Sequence, residues 1–211
     1  MNFFSGNLSS DWFFSVIIWL VKNYIEIIAT ITGIIYLFYS IREDKRLWIY
    51  GLITSALYIY VFLEAGIYAD MGINVYYVAV SIYGWIHWTR YSDTRKKEIP
   101  VSSASLKQWI LILLVIGILF VFIGVFLDKI TDSTIPFWDA FTTSASIVAT
   151  WMLARKIMEH WLIWIVVDSI SVFLYIYKGL YPTVFLFIVY TTLAVMGYIQ
   201  WKKQWLKQKS I

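Results

Sequence analysis

Between positions 161 and 168 the sequence reads Trp161-Leu-Ile-Trp164-Ile-Val-Val-Asp168, which sets a carboxylate inside a run of roughly twenty residues apolar enough to cross a bilayer. A helix turns by about 100° per residue, so Trp161, Trp164 and Asp168 fall on one face, with Tyr175 two turns further along. Two flat rings and one negative charge therefore share a wall. An ionisable group at the bilayer centre costs about 2.5 to 3.5 kcal/mol on insertion scales, so such groups face a bundle interior or a water-filled path rather than lipid. Asp168 is expected to look into a transport pathway.

A second polar stripe recurs at Asn74, Tyr77, Ser81 and Trp88, with Gly84 between them. Buried amides and hydroxyls need partners, so this stripe either lines a path with the Asp168 face or holds two helices together. Thr143, Ser146 and Thr150 share another face and read as small-residue helix packing. Among the tyrosines, Tyr175 and Tyr190 join the candidate binding set, which comprises Trp161, Trp164, Asp168, Tyr175, Asn74, Tyr77, Ser81 and Tyr190. Most of the other tryptophans, Trp48, Trp88, Trp138, Trp201 and Trp205 among them, fall near the ends of apolar runs and are expected in headgroup belts. His87 and His160 have no carboxylate or cysteine at ligand spacing, and His160 beside Glu159 reads as solvated surface. No metal, no cofactor and no catalytic constellation is expected, and an enzyme is not the reading.

The elements that position these residues follow from composition. Of 211 residues, 61% are hydrophobic and only 14% charged, at a mean hydropathy of +0.72. That is too much apolar surface for a soluble domain of this size, so the chain reads as an all-α integral membrane protein whose first partner is the lipid bilayer. With no cysteine there is no disulfide framework and no thiolate chemistry. The net charge of +4 sits in short clusters between apolar runs, which suits membrane topology and excludes nucleic acid as a partner.

Seven spans are expected, at about 23–41, 47–64, 67–89, 108–127, 136–154, 159–177 and 180–201. Residues 1–21 carry an apolar stretch too short to cross and read as an interfacial helix, and the link Glu64-Ala-Gly-Ile67 implies a tight hairpin. Of the 17 Lys and Arg, 14 lie after the first, third, fifth and seventh spans, leaving Lys22, Lys129 and Lys178 on the other side. Cations favour the cytoplasm, so the N-terminus is expected outside and the C-terminus inside a cell inner (plasma) membrane.

Sliding the chain on itself by 113 residues superimposes Arg42 on Arg155, Trp48 on Trp161, Gly66 on Gly179, Tyr77 on Tyr190 and Gly84-Trp-Ile-His-Trp88 on Gly197-Tyr-Ile-Gln-Trp201. Three helices, one linking helix and three more bring the second repeat in with the orientation of the first, a 3+1+3 parallel repeat. The divisions expected are an N-terminal segment 1–21, a first repeat 22–90, a linker with its helix 91–134, a second repeat 135–203 and a cytoplasmic tail 204–211. The register also exposes a break in symmetry: Asp168 aligns with Ser55, and Trp164 with Gly51. A symmetric scaffold with an asymmetric lining suits an asymmetric small molecule.

The motif Trp161-x-x-Trp164-x-x-x-Asp168, the following Tyr175-Ile-Tyr177-Lys-Gly-Leu-Tyr-Pro182 and the Ile82-Tyr-Gly84-Trp85 segment resemble the PnuC family of vitamin transporters over about residues 23 to 205. The resemblance implies an architecture similar to the SWEET proteins and facilitated diffusion of nicotinamide riboside. It also implies trapping by a cytoplasmic kinase that is coupled functionally rather than by contact. Thiamine remains an alternative cargo within the same family. Both vitamins carry a cationic aromatic ring, which aromatic faces and a carboxylate attract when desolvated. A proton-coupled carrier, a structural membrane protein and assembly as a homo-oligomer are left open.

Overall fold

The computed structural model describes residues 15, 18, 21, 24–64, 68–95, 99–131, 135–177 and 181–210. Inside hydrocarbon, backbone amides and carbonyls find no water, and a helix is the local structure that satisfies them within one segment. The chain accordingly forms α1 (Tyr24–Ile41), α2 (Leu47–Glu64), α3 (Tyr68–Arg95), α4 (Leu106–Ile130), α5 (Pro136–Ala154), α6 (His160–Tyr177) and α7 (Tyr181–Lys209). By length and composition α1, α2, α4, α6 and α7 can each cross a membrane. Helices α3 and α5, of 28 and 19 residues, are also long enough at about 1.5 Å per residue but carry more polar groups. Those groups are turned inward: Asn74, Ser81, Ser144, Ser146 and Thr150 are all buried. Helix α4 is the reverse case, exposing Leu113, Ile118 and Phe122 as a lipid-facing helix does. From Tyr24 on, the described residues form a membrane bundle of seven helices.

Most helix ends fall within a residue or two of expectation, with two informative differences. Helix α3 continues to Arg95 and α7 to Lys209, so residues 204–209, expected in a tail, extend the last helix. No Gly or Pro interrupts either extension, and Lys, Gln and Arg are good helix formers once outside the apolar slab. Helix α4 starts at a capping box, in which the Ser105 side chain accepts from Gln108 N and the Gln108 side chain accepts from Ser105 N. The expected interfacial helix 1–21 lies outside the described residues apart from Ser15, Ile18 and Val21, which are helical and exposed, and the hairpin link at 65–67 lies outside them altogether.

Helices α1 to α3 pack in sequence, as do α5 to α7, while α3 leans on α5, α7 leans on α1 and α4 rests on α5. The turns α1–α2 and α5–α6 are the same structure at an offset of 113. Glu43 N donates to Ser40 O at 3.1 Å and Asp44 N to Tyr39 O at 3.0 Å; Lys156 N donates to Leu153 O at 2.9 Å and Ile157 N to Met152 O at 3.0 Å. Both pairs are the paired bonds of a Schellman cap, which requires a left-handed residue after the helix. Glycine usually fills that position, but here Glu43 (φ 58°) and Lys156 (φ 53°) do. In the first turn Arg46 grips Asp44, and this hydrogen bond holds the Asp44 carboxyl below its ordinary range.

The tryptophans at this basic end correct the belt expectation. Trp48, Trp88 and Trp201 are buried, because each pair of indoles is locked between helices. Trp48 lies against Gly84 and meets Trp88 edge to face at 5.5 Å; Trp161 lies against Gly197 and meets Trp201 edge to face at 6.2 Å. A Cβ at Gly197 would stand 2.5 Å from the Trp161 ring, and one at Gly84 would overlap the Trp48 ring in the same way. Trp88 Nε1 donates to Ala154 O at 2.9 Å and Trp201 Nε1 to Ser40 O at 3.0 Å, so each unit donates to a carbonyl at the first-helix end of the other. Trp138 alone of those named stays well exposed, as a belt residue does.

The reading of His160 and Glu159 as solvated surface is also corrected, since both are buried. The segment before α4 straps over the α5–α6 turn: Ser102 N donates to Lys156 O, and Met158 N to Ser102 O, each at 2.9 Å. Ser103 Oγ and Ala104 N then donate to the Glu159 carboxylate at 2.6 and 2.9 Å. His160 Nδ1 lies 2.8 Å from Ile157 O, which can only accept, so Nδ1 carries the proton.

Because the two glycine contacts are equivalent, Gly84→Ala and Gly197→Ala should destabilise alike, by about 1 to 3 kcal/mol, the usual range for overpacking. Thermal unfolding of the purified protein in detergent checks this. An alanine tolerated at either position with an unchanged midpoint would contradict the close approach.

Candidate substrate-binding site

Two cavities lie between the units, of about 400 and 220 Å³, and they share the walls Tyr36, Thr54, Tyr58 and Trp164. The larger is bordered by α2 and α3, running from Trp48 past Ser55 and Ser81 to Asn74, Phe62 and Asp70. The smaller is bordered by α6 and α7 with α1, and holds His160, Trp161, Asp168 and Tyr190. They are repeat-related lobes: Trp48 corresponds to Trp161, Ser55 to Asp168, Tyr77 to Tyr190, Ser81 to Ala194 and Thr150 to Leu37. A more open groove on α4 is lined by residues of that helix alone, almost all apolar, and belongs to the lipid face.

The lobes differ in chemistry as the sequence register implies. In the larger, Ser55, Asn74, Ser81 and Thr150 supply hydroxyl and amide groups around an aromatic wall. Several are already engaged: Asn74 Nδ2 donates to Asp70 O at 2.8 Å, and Thr150 Oγ1 to Ser146 O at 2.8 Å. Gly51 shapes this lobe, since a Cβ there would stand 3.1 Å from both Ser81 Oγ and the Tyr36 ring. Trp164, its counterpart in the other unit, reaches into both lobes.

In the smaller lobe the carboxylate stands without compensation. Asp168 is 6% exposed, and among the described residues no hydrogen bond or ion pair engages it. Among the described residues the cations are gathered at the helix ends, away from its depth. A buried carboxylate with no protein cation is costly unless it takes up a proton or a cationic partner arrives from elsewhere. Aromatic rings line the same walls, so a flat cation entering here would meet both a negative charge and π-faces.

Seven of the eight residues singled out from the sequence border these lobes: Asn74, Tyr77 and Ser81 the larger, Trp161, Asp168 and Tyr190 the smaller, and Trp164 both. Tyr175 does not border either lobe; its ring stacks on Phe187 at 5.1 Å, toward the far end of α6, because two further helical turns carry it past the cavity. Sequence reasoning missed Tyr36 and Thr54, which sit on α1 and α2 where no charge marks a face. Thr54 Oγ1 donates to Thr32 Oγ1 at 2.8 Å, and Thr30 Oγ1 shares a 3.2 Å bond with Tyr58 OH, so these walls are cross-linked. The i, i+4 pair Thr54 and Tyr58 was the available signal, but spacing alone does not separate it from helix packing.

Comparison with known proteins bears on the family and the fold. The nicotinamide riboside transporter PnuC of Escherichia coli (strain K12) is 27% identical over 203 residues, spanning 85% of each chain. The PnuC of Neisseria mucosa is 26% identical over 86% of this chain and 73% of its own. The riboflavin/roseoflavin transporter RibM of Streptomyces davaonensis is 25% identical over 87% of this chain and 85% of its own. A crystal structure of the vitamin B3 transporter PnuC shares the fold with a TM-score of 0.72 at 24% identity, covering 92% of this chain and 86% of that one. The family described as nicotinamide mononucleotide transporter matches residues 23–203, from the start of α1 into the extended α7. By that match, and by the bundle that carries it, the chain belongs to this family of membrane transporters.

Proposed function

We propose that the protein conducts nicotinamide riboside across the cell inner membrane by facilitated diffusion. The observation that carries the reading is Asp168, buried beside Trp161 and Trp164 with no cation among the described residues to neutralise it. A pyridinium supplies the missing charge and a flat face together. The hydroxyl-bearing lobe across the shared wall suits the sugar, so one ligand spans both halves of the site. Relatives named as nicotinamide riboside transporters support the cargo. Net uptake then depends on a cytoplasmic kinase that phosphorylates the vitamin, since the carboxylate opposes a phosphate dianion on the return path.

The orientation we propose follows the cations: the end carrying the α1–α2 and α5–α6 turns and the α7 extension faces the cytoplasm. Thiamine, also a cationic aromatic vitamin, is the second reading that Asp168 favours.

Binding to the purified protein, titrated with nicotinamide riboside, nicotinamide, nicotinamide mononucleotide, thiamine and riboflavin, tests the cargo. Nicotinamide riboside should bind tightest and the mononucleotide weakly or not at all; tight mononucleotide binding would sink the proposal. Asp168→Asn keeps size and removes charge, and should weaken nicotinamide riboside by about 1.5 to 3 kcal/mol, roughly 10- to 150-fold in Kd, in a folded protein. Unaltered affinity with lowered thermal stability would instead make Asp168 a helix clamp. Topology is read by single cysteines at Lys129 and Lys202, there being no native cysteine to remove. An impermeant maleimide outside intact cells should label the first and spare the second.

A further inference from the structure

The turns of the two units meet. Glu43 and Lys156 occupy the same position of the repeat, 113 residues apart, and Lys156 Nζ lies 3.5 Å from Glu43 Oε2. Two residues related by a pseudo-two-fold can face each other only where that axis passes between them, so the ion pair marks the axis at the basic end of the bundle. Both side chains are withdrawn from solvent, at 2% and 11% exposure, and the Lys156 ammonium also sits 4.5 Å from the Trp88 ring centroid. Both residues hold left-handed backbone where glycine is the ordinary occupant, a cost accepted for the sake of the charged side chains that glycine lacks.

Other contacts between the units cluster around this pair. Trp88 reaches Ala154 O, Trp201 reaches Ser40 O, and Arg155 donates to Tyr83 OH at 3.1 Å. Beneath them lie the cavities, and the larger extends the other way, toward Phe62 and Asp70. Neither lobe is lined by Glu43, Lys156 or Trp88, which border a separate cavity of about 330 Å³ at the basic end. A carrier built from two units must part them there to release its cargo, so these contacts have to be reversible.

We infer that Glu43 and Lys156 form the latch that closes the basic end, engaged in this conformation and separated when the two units part toward the cytoplasm. The inference rests on the transport reading. An ion pair suits the task because burial costs each charge its hydration while their attraction returns much of it, leaving open and closed states near in free energy. A seal of apolar side chains would hold one state more strongly. The Ser102 strap, bonded to Lys156 O and Met158 N, fixes the lysine side of the latch to the segment leading into α4.

The test uses the full chain in nanodiscs with one reporter, Thr54→Cys, on the wall shared by the two lobes. Glu43→Asn and Lys156→Asn remove each charge while keeping a residue tolerant of left-handed backbone. To resolve the two faces, the same reporter is placed in sealed vesicles of fixed orientation and exposed to impermeant maleimide from the basic side. Each single variant should raise labelling from that side by about tenfold, and the exchange Glu43→Lys with Lys156→Glu should bring it back toward the unmodified rate. Wild-type labelling in both single variants overturns the latch, whatever their thermal stability, and shows a static clamp. If one variant fails to fold, the other still decides. The readout needs no substrate: loss of nicotinamide riboside binding by the unmodified protein would defeat the cargo reading and leave the latch result standing.

Discussion

An indole set against bare helix backbone is the contact on which the rest of this bundle depends. Lipid gives helices no hydrophobic reason to associate, so close approach and internal hydrogen bonds must hold them. Gly84 admits Trp48 and Gly197 admits Trp161, and within each unit this joins the second helix to the third. The partner tryptophans, Trp88 and Trp201, then donate to carbonyls of the opposite unit. Packing within units and bonding between them are thus carried by neighbouring rings at one end of the molecule.

From that end the cavities open along the helices. Repeat symmetry builds two similar lobes, and substitution makes them unlike. One position differs by a whole indole, Gly51 against Trp164, and another by a charge, Ser55 against Asp168. A molecule with a flat cationic head and a hydroxylated body fits such a pair better than either lobe alone would. On the proposed reading, Asp168 can stay buried because a cationic cargo compensates it.

The basic end carries three devices of different strength. Indole hydrogen bonds join the units directly, the Ser102 strap ties α4 to the α5–α6 turn, and the Glu43 to Lys156 pair crosses the axis. Only the last brings equivalent residues face to face. Symmetry makes that arrangement depend on opposite charges at one repeat position, since two identical ions would repel there.

Much of this was legible in the chain. Apolar runs of bilayer length give helices because no other local structure satisfies the backbone in lipid, so the seven elements and most of their ends follow from hydropathy. The 113-residue register, read from a few aromatics and glycines, also carries the turns, because a Schellman cap is a local structure. Asp168 stood out because a charge in an apolar run needs a destination. What the sequence left undecided depends on neighbours distant along the chain. Trp48, Trp88 and Trp201 have the position of belt residues, and only Gly84, Gly197 and the facing carbonyls turn them inward. His160 and Glu159 look like a wet turn until residues 102–104 cross over them. Tyr175 shares the face of Asp168 but lies too far along the helix, and Tyr36 and Thr54 enter the site with no charge to announce them. Periodicity along one helix fixes a direction; the depth of a side chain, and what it meets there, belong to the packing of several.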